Sequence, residues 1–284
     1  MTPELPEVET VAQGLRDFLL GKEITSAKII LKKLINSNPS DFSKQLRGKR
    51  FVGVRRHGKN LFIEFSGKLT LWSHLRMTGR FIQASKDAPL DKHDHLYFDL
   101  KSLNDNSKSR LIYRDVRKFG FVRLLSQDEL DRNVSLRKLG PDALEINKAD
   151  FVNLFSGTSR MIKTALLDQS FIAGLGNIYV DEALFAARIH PRESTATLDV
   201  QQIVELRKVI RAILRKALKN MGTTFDSFAR TNGEPGGFQS YLKVYRRTDQ
   251  LCVVCRSKIE RDIIGQRSTH FCPNCQTSSH LTKR

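Results

Sequence analysis

Cys252-Val253-Val254-Cys255 and, after sixteen intervening residues, Cys272-Pro273-Asn274-Cys275 hold all four cysteines of the 284-residue chain. Two CxxC pairs supply what a tetrahedral zinc site requires. Each pair bends into a knuckle presenting two thiolates at about 2.3 Å from the metal. Two disulfides would use the same residues, but the chain reads as one without a signal peptide and is expected in a reducing compartment, where structural disulfides are rare. The expectation is one structural zinc per chain on Cys252, Cys255, Cys272 and Cys275. The segment between the pairs is long enough for a hairpin and carries Arg256, Lys258, Arg261 and Arg267. A metal-stapled basic finger points to nucleic acid.

The charge balance points the same way. Forty-eight Lys and Arg stand against thirty Asp and Glu, a net +18, and residues 1–150 and 151–284 share the excess equally. A basic tail would concentrate it at one end, whereas two basic halves suit a polyanion lying across both. No apolar run approaches the roughly 20 residues of a membrane span. The length and a 40% hydrophobic content allow two domains with their own cores. Neither repeats nor low-complexity tracts occur. A soluble, cytosolic protein is expected.

Working toward the N-terminus, Val200, Ile203, Val204, Ile210, Ile213, Leu214, Ala217 and Leu218 recur at helical spacing and Gly222 closes the run. Residues 7–20 read as a leading helix with Val8, Val11, Leu15, Phe18 and Leu19 on one stripe, stopped by Gly21. Between them lie strand-like runs at 27–31, 51–56, 61–65, 69–74, 95–100, 110–113 and 120–125, separated by turn residues such as His57-Gly58-Lys59-Asn60. Many short, closely spaced strands predict an antiparallel sandwich or barrel. Gly140-Pro141-Asp142 marks the change to helical patterns. The fold class is therefore α+β, with a β-rich domain over 1–140, a helical domain over 141–240 and the finger hairpin over 241–284. A cleft between two basic domains is the natural place for a duplex.

Five stretches occur in order: PELPEVET (3–10), HLRMTGRF (74–81), RDVRKFG (114–120), GLGNIYVDEALF (174–185) and the four-cysteine finger. Together, and over nearly the full length, they resemble the formamidopyrimidine-DNA glycosylase family. That resemblance implies an N-terminal β-sandwich, a helix–two-turns–helix domain and a zinc finger. It also implies a monomeric repair enzyme of the bacterial cytosol. Such an enzyme excises oxidised bases from double-stranded DNA and then cleaves the strand at the abasic sugar by β,δ-elimination.

The family nucleophile is an N-terminal proline amine that attacks the sugar C1′ and forms a Schiff base; Pro3 matches it. A free α-amine has a pKa of about 7.7–8, so part of it is neutral at cellular pH. Glu4 matches the acid/base that assists base departure, Lys59 the lysine near the scissile phosphate, and Arg267 the finger arginine that grips phosphates and assists δ-elimination. A planar guanidinium suits that task better than an ammonium. In this chain Thr2 precedes Pro3, and a peptide nitrogen is no nucleophile. Either the working chain begins at Pro3, or an extra residue has been added, or the protein senses lesions with impaired lyase chemistry.

The resemblance further matches Met77 and Arg117 to side chains that fill the void left by a flipped base, and Phe119 to a wedge in the stack. His93 and Asn177 match residues on the DNA side, and Lys163 falls on the same face. Members often keep a DNA-contacting lysine where this chain has Gly157-Thr158-Ser159. His57, His74, His93 and His95 have no metal-ligand spacing. Residues 222–247 resemble the lesion-binding segment of the purine-directed branch rather than that of its pyrimidine-directed relatives, so 8-oxoguanine and formamidopyrimidines are the expected lesions. Gly233, Gly236 and Gly237 suit a loop closing over an extruded base.

Overall fold

The computed structural model describes residues 2–225 and 228–277. Met1, and Asp226 and Ser227 of the expected lesion-binding segment, lie outside the described residues. The chain divides into two compact units, Met1–Arg137 with Asn220–Gly237, and Lys138–Lys219 with Phe238–Arg284.

The first unit opens with helix α1 (Leu5–Leu19), whose Val8, Val11, Ala12, Leu15 and Leu19 are buried along one stripe. It begins two residues earlier than periodicity indicates, because Pro6 falls in the first turn, where a missing N–H costs nothing. Strand β1 (Lys22–Ile29) and helix α2 (Pro39–Leu46) follow. Next come β2 (Phe51–His57), β3 (Asn60–Phe65), β4 (Leu69–His74), β5 (Gly79–Ser85), β6 (Asp94–Ser102), β7 (Lys108–Asp115) and β8 (Phe121–Ser126). Two short helices, α3 (Gln127–Asp131) and α4 (Val134–Arg137), end this stretch.

The strands pair antiparallel in two four-stranded sheets ordered β1-β6-β7-β5 and β2-β3-β4-β8. Both sheets and α1 bury apolar side chains in one core, including Leu15, Ile24, Ile63, Leu71, Phe81, Phe98, Leu111 and Val122. This is the expected sandwich with a leading helix.

Two strands depart from the sequence reading. β1 starts at Lys22 rather than 27, because a register shift between Ile24 and Ser26 breaks its alternation. β5 has no counterpart among the expected strands. It is an edge strand, with Phe81 as its one large buried apolar residue.

Residues 220–225 and 228–237, at the C-terminal end of the expected helical domain, pack with the first unit. Glu7, wholly buried, accepts the Thr223 N–H at 2.7 Å. Gln83 donates its backbone N–H to the Thr231 carbonyl at 3.0 Å and its side-chain amide to the Gly14 carbonyl at 2.9 Å. The segment's ends close on themselves: a Cβ on Gly236 would sit 2.3 Å from the Gly222 carbonyl oxygen, so only glycine allows that approach.

The second unit contains α5 (Lys148–Asn153), α6 (Ile162–Leu167), α7 (Asn177–Ala186) and the long α8 (Val200–Lys219). The hairpin β9 (Glu260–Ile264) and β10 (Arg267–Phe271) ends it. Among the described residues, no helix is long and apolar enough to cross a membrane.

Candidate active site and zinc centre

At the start of the first unit Pro3 is buried and Glu4, 3% exposed, occupies the N-cap of α1. The Glu4 N–H is held by Glu7 Oε2 at 2.9 Å. Glu7 thus ties the first residues of the helix to Thr223 through its other oxygen. Further along α1, Glu9 accepts from Arg16 at 2.8 Å and from Arg56 Nε at 3.0 Å. Arg56, its side chain 2% exposed, also donates to the Gly58 carbonyl at 3.1 Å. That bond pins the two-residue β2–β3 turn carrying Lys59 to α1. Gly58 has φ +56, the conformation a glycine-first hairpin turn demands.

Lys59 lies near His74 at the end of β4. Burial first, then the Arg76 and Lys59 charges, push the His74 pKa down to about 3. The neutral ring accepts the Arg76 N–H on Nδ1 at 3.0 Å.

Met77, Arg117 and Phe119 come together from two loops. Arg117 Nη1 donates to Met77 Sδ at 2.7 Å, and its guanidinium carbon lies 4.7 Å from the centre of the Phe119 ring. Phe119 is 57% exposed, although an aromatic ring gains by leaving water. Asp115, nearly fully buried, braces both loops. It accepts from the Thr78 hydroxyl, from the Arg117 N–H at 3.2 Å and from the Gly120 N–H at 2.8 Å. His93 joins the same neighbourhood: its carbonyl accepts the Asp115 N–H at 3.0 Å and its ring meets Asp91 Oδ1 at 3.0 Å.

In the second unit the four cysteine sulfurs lie within 4.8 Å of one another. Cys252 and Cys275 are 3.9 Å apart, and Cys255 and Cys272 3.4 Å. Thiolates about 2.3 Å from a tetrahedral centre lie about 3.8 Å apart, so the donor set fits one zinc. The Val254 and Cys275 N–H groups each point at a knuckle sulfur at 3.4 Å, as thiolate ligands require. Gln276 fastens the finger, accepting the Cys272 N–H and donating to the Ile189 carbonyl, both at 2.9 Å. These residues hold a structural ion.

Arg267 opens β10 with its side chain exposed. Asn177, the first residue of α7, donates Nδ2 to the Ser268 carbonyl at 2.7 Å, which leaves its second amide hydrogen for another acceptor. Lys163 departs from its expected place on the DNA face. Its side chain has no exposure, and Nζ sits 2.5 Å from Asp181 Oδ1, so its charge is compensated inside the unit.

Three family models match in order along the chain: the formamidopyrimidine-DNA glycosylase N-terminal domain over residues 2–122, the formamidopyrimidine-DNA glycosylase H2TH domain over 139–229, and the zinc finger found in FPG and IleRS over 249–277. The chain belongs to the formamidopyrimidine-DNA glycosylase family. The Streptococcus mutans formamidopyrimidine-DNA glycosylase is 38% identical over 276 residues, covering 96% of this chain and 99% of its own. That of Lactobacillus helveticus is 40% identical, covering 96% and 98%. Lactococcus lactis Fpg in complex with abasic-site-containing DNA superposes with TM-score 0.87 at 37% identity, over 96% of this chain and 99% of that one. The same Lactococcus protein with Fapy-dG-containing DNA also gives 0.87 at 37%, over 96% and 100%.

Glu7, Arg56, Asp115, Asp181 and Glu182 escaped the sequence reading, yet each orders a motif it belongs to or adjoins. Their signal was present. Asp181-Glu182 interrupts an otherwise apolar helix, and buried acids need partners. Glu182 finds three, the N–H groups of Lys243, Val244 and Tyr245, at 2.9–3.0 Å.

Proposed function

We propose that the protein is a base-excision-repair DNA glycosylase and abasic-site lyase, acting as a monomer in the bacterial cytosol on oxidised purines in double-stranded DNA. The observation that carries this reading is the braced, exposed wedge of Met77, Arg117 and Phe119. An enzyme working on a base must take it out of the stack and fill the gap. A rigid loop offering an aromatic ring and a cation suits that task.

Pro3, freed as the chain's first residue, supplies a secondary amine to attack C1′ as the base departs. Glu4 moves the protons that base departure and ring opening need. The resulting iminium draws electrons, so that loss of the C2′ proton breaks the C3′–O bond, with Lys59 near that phosphate. Loss of the C4′ proton then breaks the C5′–O bond, with Arg267 neutralising the departing phosphate. Asn177 and His93 contribute DNA contacts. The zinc holds the finger and takes no part in bond breaking. Residues 222–247, which supply the substrate preference, favour 8-oxoguanine and formamidopyrimidines.

Thr2 motivates one other reading, a lesion-sensing protein without lyase chemistry. Borohydride trapping decides between them. Protein verified by intact mass to begin at Pro3 should form a covalent adduct with duplex carrying 8-oxoguanine opposite cytosine. Failure to form it would refute the enzyme mechanism. Tight lesion binding without cleavage by native protein that starts before Pro3 would favour the sensor.

A further inference from the structure

Lys163 is a completely buried cation that the chemistry above leaves unused. From α6 its Nζ meets Asp181 of α7 at 2.5 Å and donates to the Ser268 carbonyl of β10 at 3.2 Å. Asn177 donates to that same carbonyl at 2.7 Å. The other oxygen of Asp181 accepts the His270 N–H at 2.9 Å and lies 3.2 Å from the His270 ring. Two helices therefore grip β10 at residues 268 and 270, immediately beyond Arg267.

The β9–β10 ladder does not require this grip: Arg267 pairs with Ile264 and Phe271 with Glu260 through the hairpin's own backbone. Nor is net stability a sufficient account. Desolvating two ions offsets most of their attraction, and the best-attested use of a buried polar group is to select one register among packings of similar energy. Apolar contact alone would let the hairpin slide on the helices. Hydrogen bonds of fixed direction onto alternate residues of one strand hold it in a single register.

We propose that Lys163 and Asp181 are positioning residues that set the register of Arg267, and through it the δ-elimination step, while base excision proceeds without them. This rests on the role given to Arg267 above. In the δ-step the C4′ proton leaves, its electron pair passes into the conjugated iminium system and the C5′–O bond breaks. The phosphate so released carries the charge that a guanidinium must meet at the right distance. A displacement of about 1 Å at such a group costs up to about a hundredfold in rate. Base departure, driven at C1′, does not depend on it.

The test uses the full zinc-loaded chain beginning at Pro3, with Lys163→Met and Asp181→Asn combined. This pair removes both charges, leaves neither ion stranded and keeps an acceptor for the His270 N–H. Base release, β-product and β,δ-product are measured on one 8-oxoguanine duplex. Loss of an outer-shell partner typically costs about 10–100-fold, so the δ-product fraction should fall about tenfold with base release within about threefold of wild type. Zinc content should be that of wild type. Lys163→Gln with Asp181→Asn restores a donor to the Ser268 carbonyl and should recover part of the δ-product. An unchanged β:δ ratio in the zinc-loaded variant overturns the proposal. So does a parallel fall in base release, or loss of zinc from both variants, since either marks a general folding role. A wild-type protein that releases the base without cutting the strand indicts the reading of the enzyme instead.

Discussion

Truncating Phe119 separates a damage clamp from general affinity for DNA. Fully burying a phenylalanine contributes about 1.5–3 kcal/mol. With Phe119 57% exposed, Phe119→Ala removes less than half of that, about 1 kcal/mol. The stacked Arg117 guanidinium adds about 0.5–1 kcal/mol at an exposed site. Domain stabilities of about 5–15 kcal/mol absorb such a loss, so the variant stays folded. Extruding a base costs a few kcal/mol of lost stacking. A wedge returning about half of it is worth about 1.5–3 kcal/mol, which is about 10–100-fold in excision rate. No charge changes, so affinity for intact duplex and its salt slope should stay at wild-type values. Met77→Ala should behave alike, whereas Arg117→Ala should weaken both intact and damaged DNA binding. The assay pairs affinity for intact and lesion duplexes over a salt series with single-turnover excision. Excision at wild-type rate by both Phe119→Ala and Met77→Ala would refute the void-filling role.

Two other outcomes follow from named contacts. Removing zinc frees the knuckles that shape the β9–β10 hairpin, so chelation should weaken DNA binding and lower the finger's protection from proteolysis; full affinity in metal-free protein would contradict the structural role. His74 is held neutral, its pKa pushed down to about 3 by burial first and then by Arg76 and Lys59. The unfolded chain takes up this proton near pH 6.5 and the native one only near 3, so the contribution is complete above about 6.5 and declines as pH falls through that window. His74→Gln should reduce the drop in urea midpoint between pH 7 and 5, and an equal drop in both proteins would exclude the mechanism.

Much of this protein was determined by local pattern. The two CxxC pairs define their metal because knuckle geometry is set by spacing alone. The α1 and α8 stripes are legible because a helix repeats its buried face every 3.6 residues, and strands β2, β3 and β4 because apolar runs between turn residues have few other solutions. Where a strand lies at an edge, as β5 does, that signal disappears because few of its side chains need burial. Motif order likewise singled out Met77, Arg117 and Phe119 as candidates, and their side chains meet in the structure.

The partners of those motifs were decided by tertiary structure alone. Nothing near Glu7 in the chain indicates that it will hold Thr223, and nothing near Lys163 indicates that Asp181 and the Ser268 carbonyl will enclose it. A basic residue next to a DNA-binding motif reads as a phosphate contact, because sequence shows charge but not exposure. Burial makes the difference: in water Lys163 would meet a phosphate, whereas inside the unit its charge must find a carboxylate, and the helix that supplies Asp181 also fixes the strand bearing Arg267.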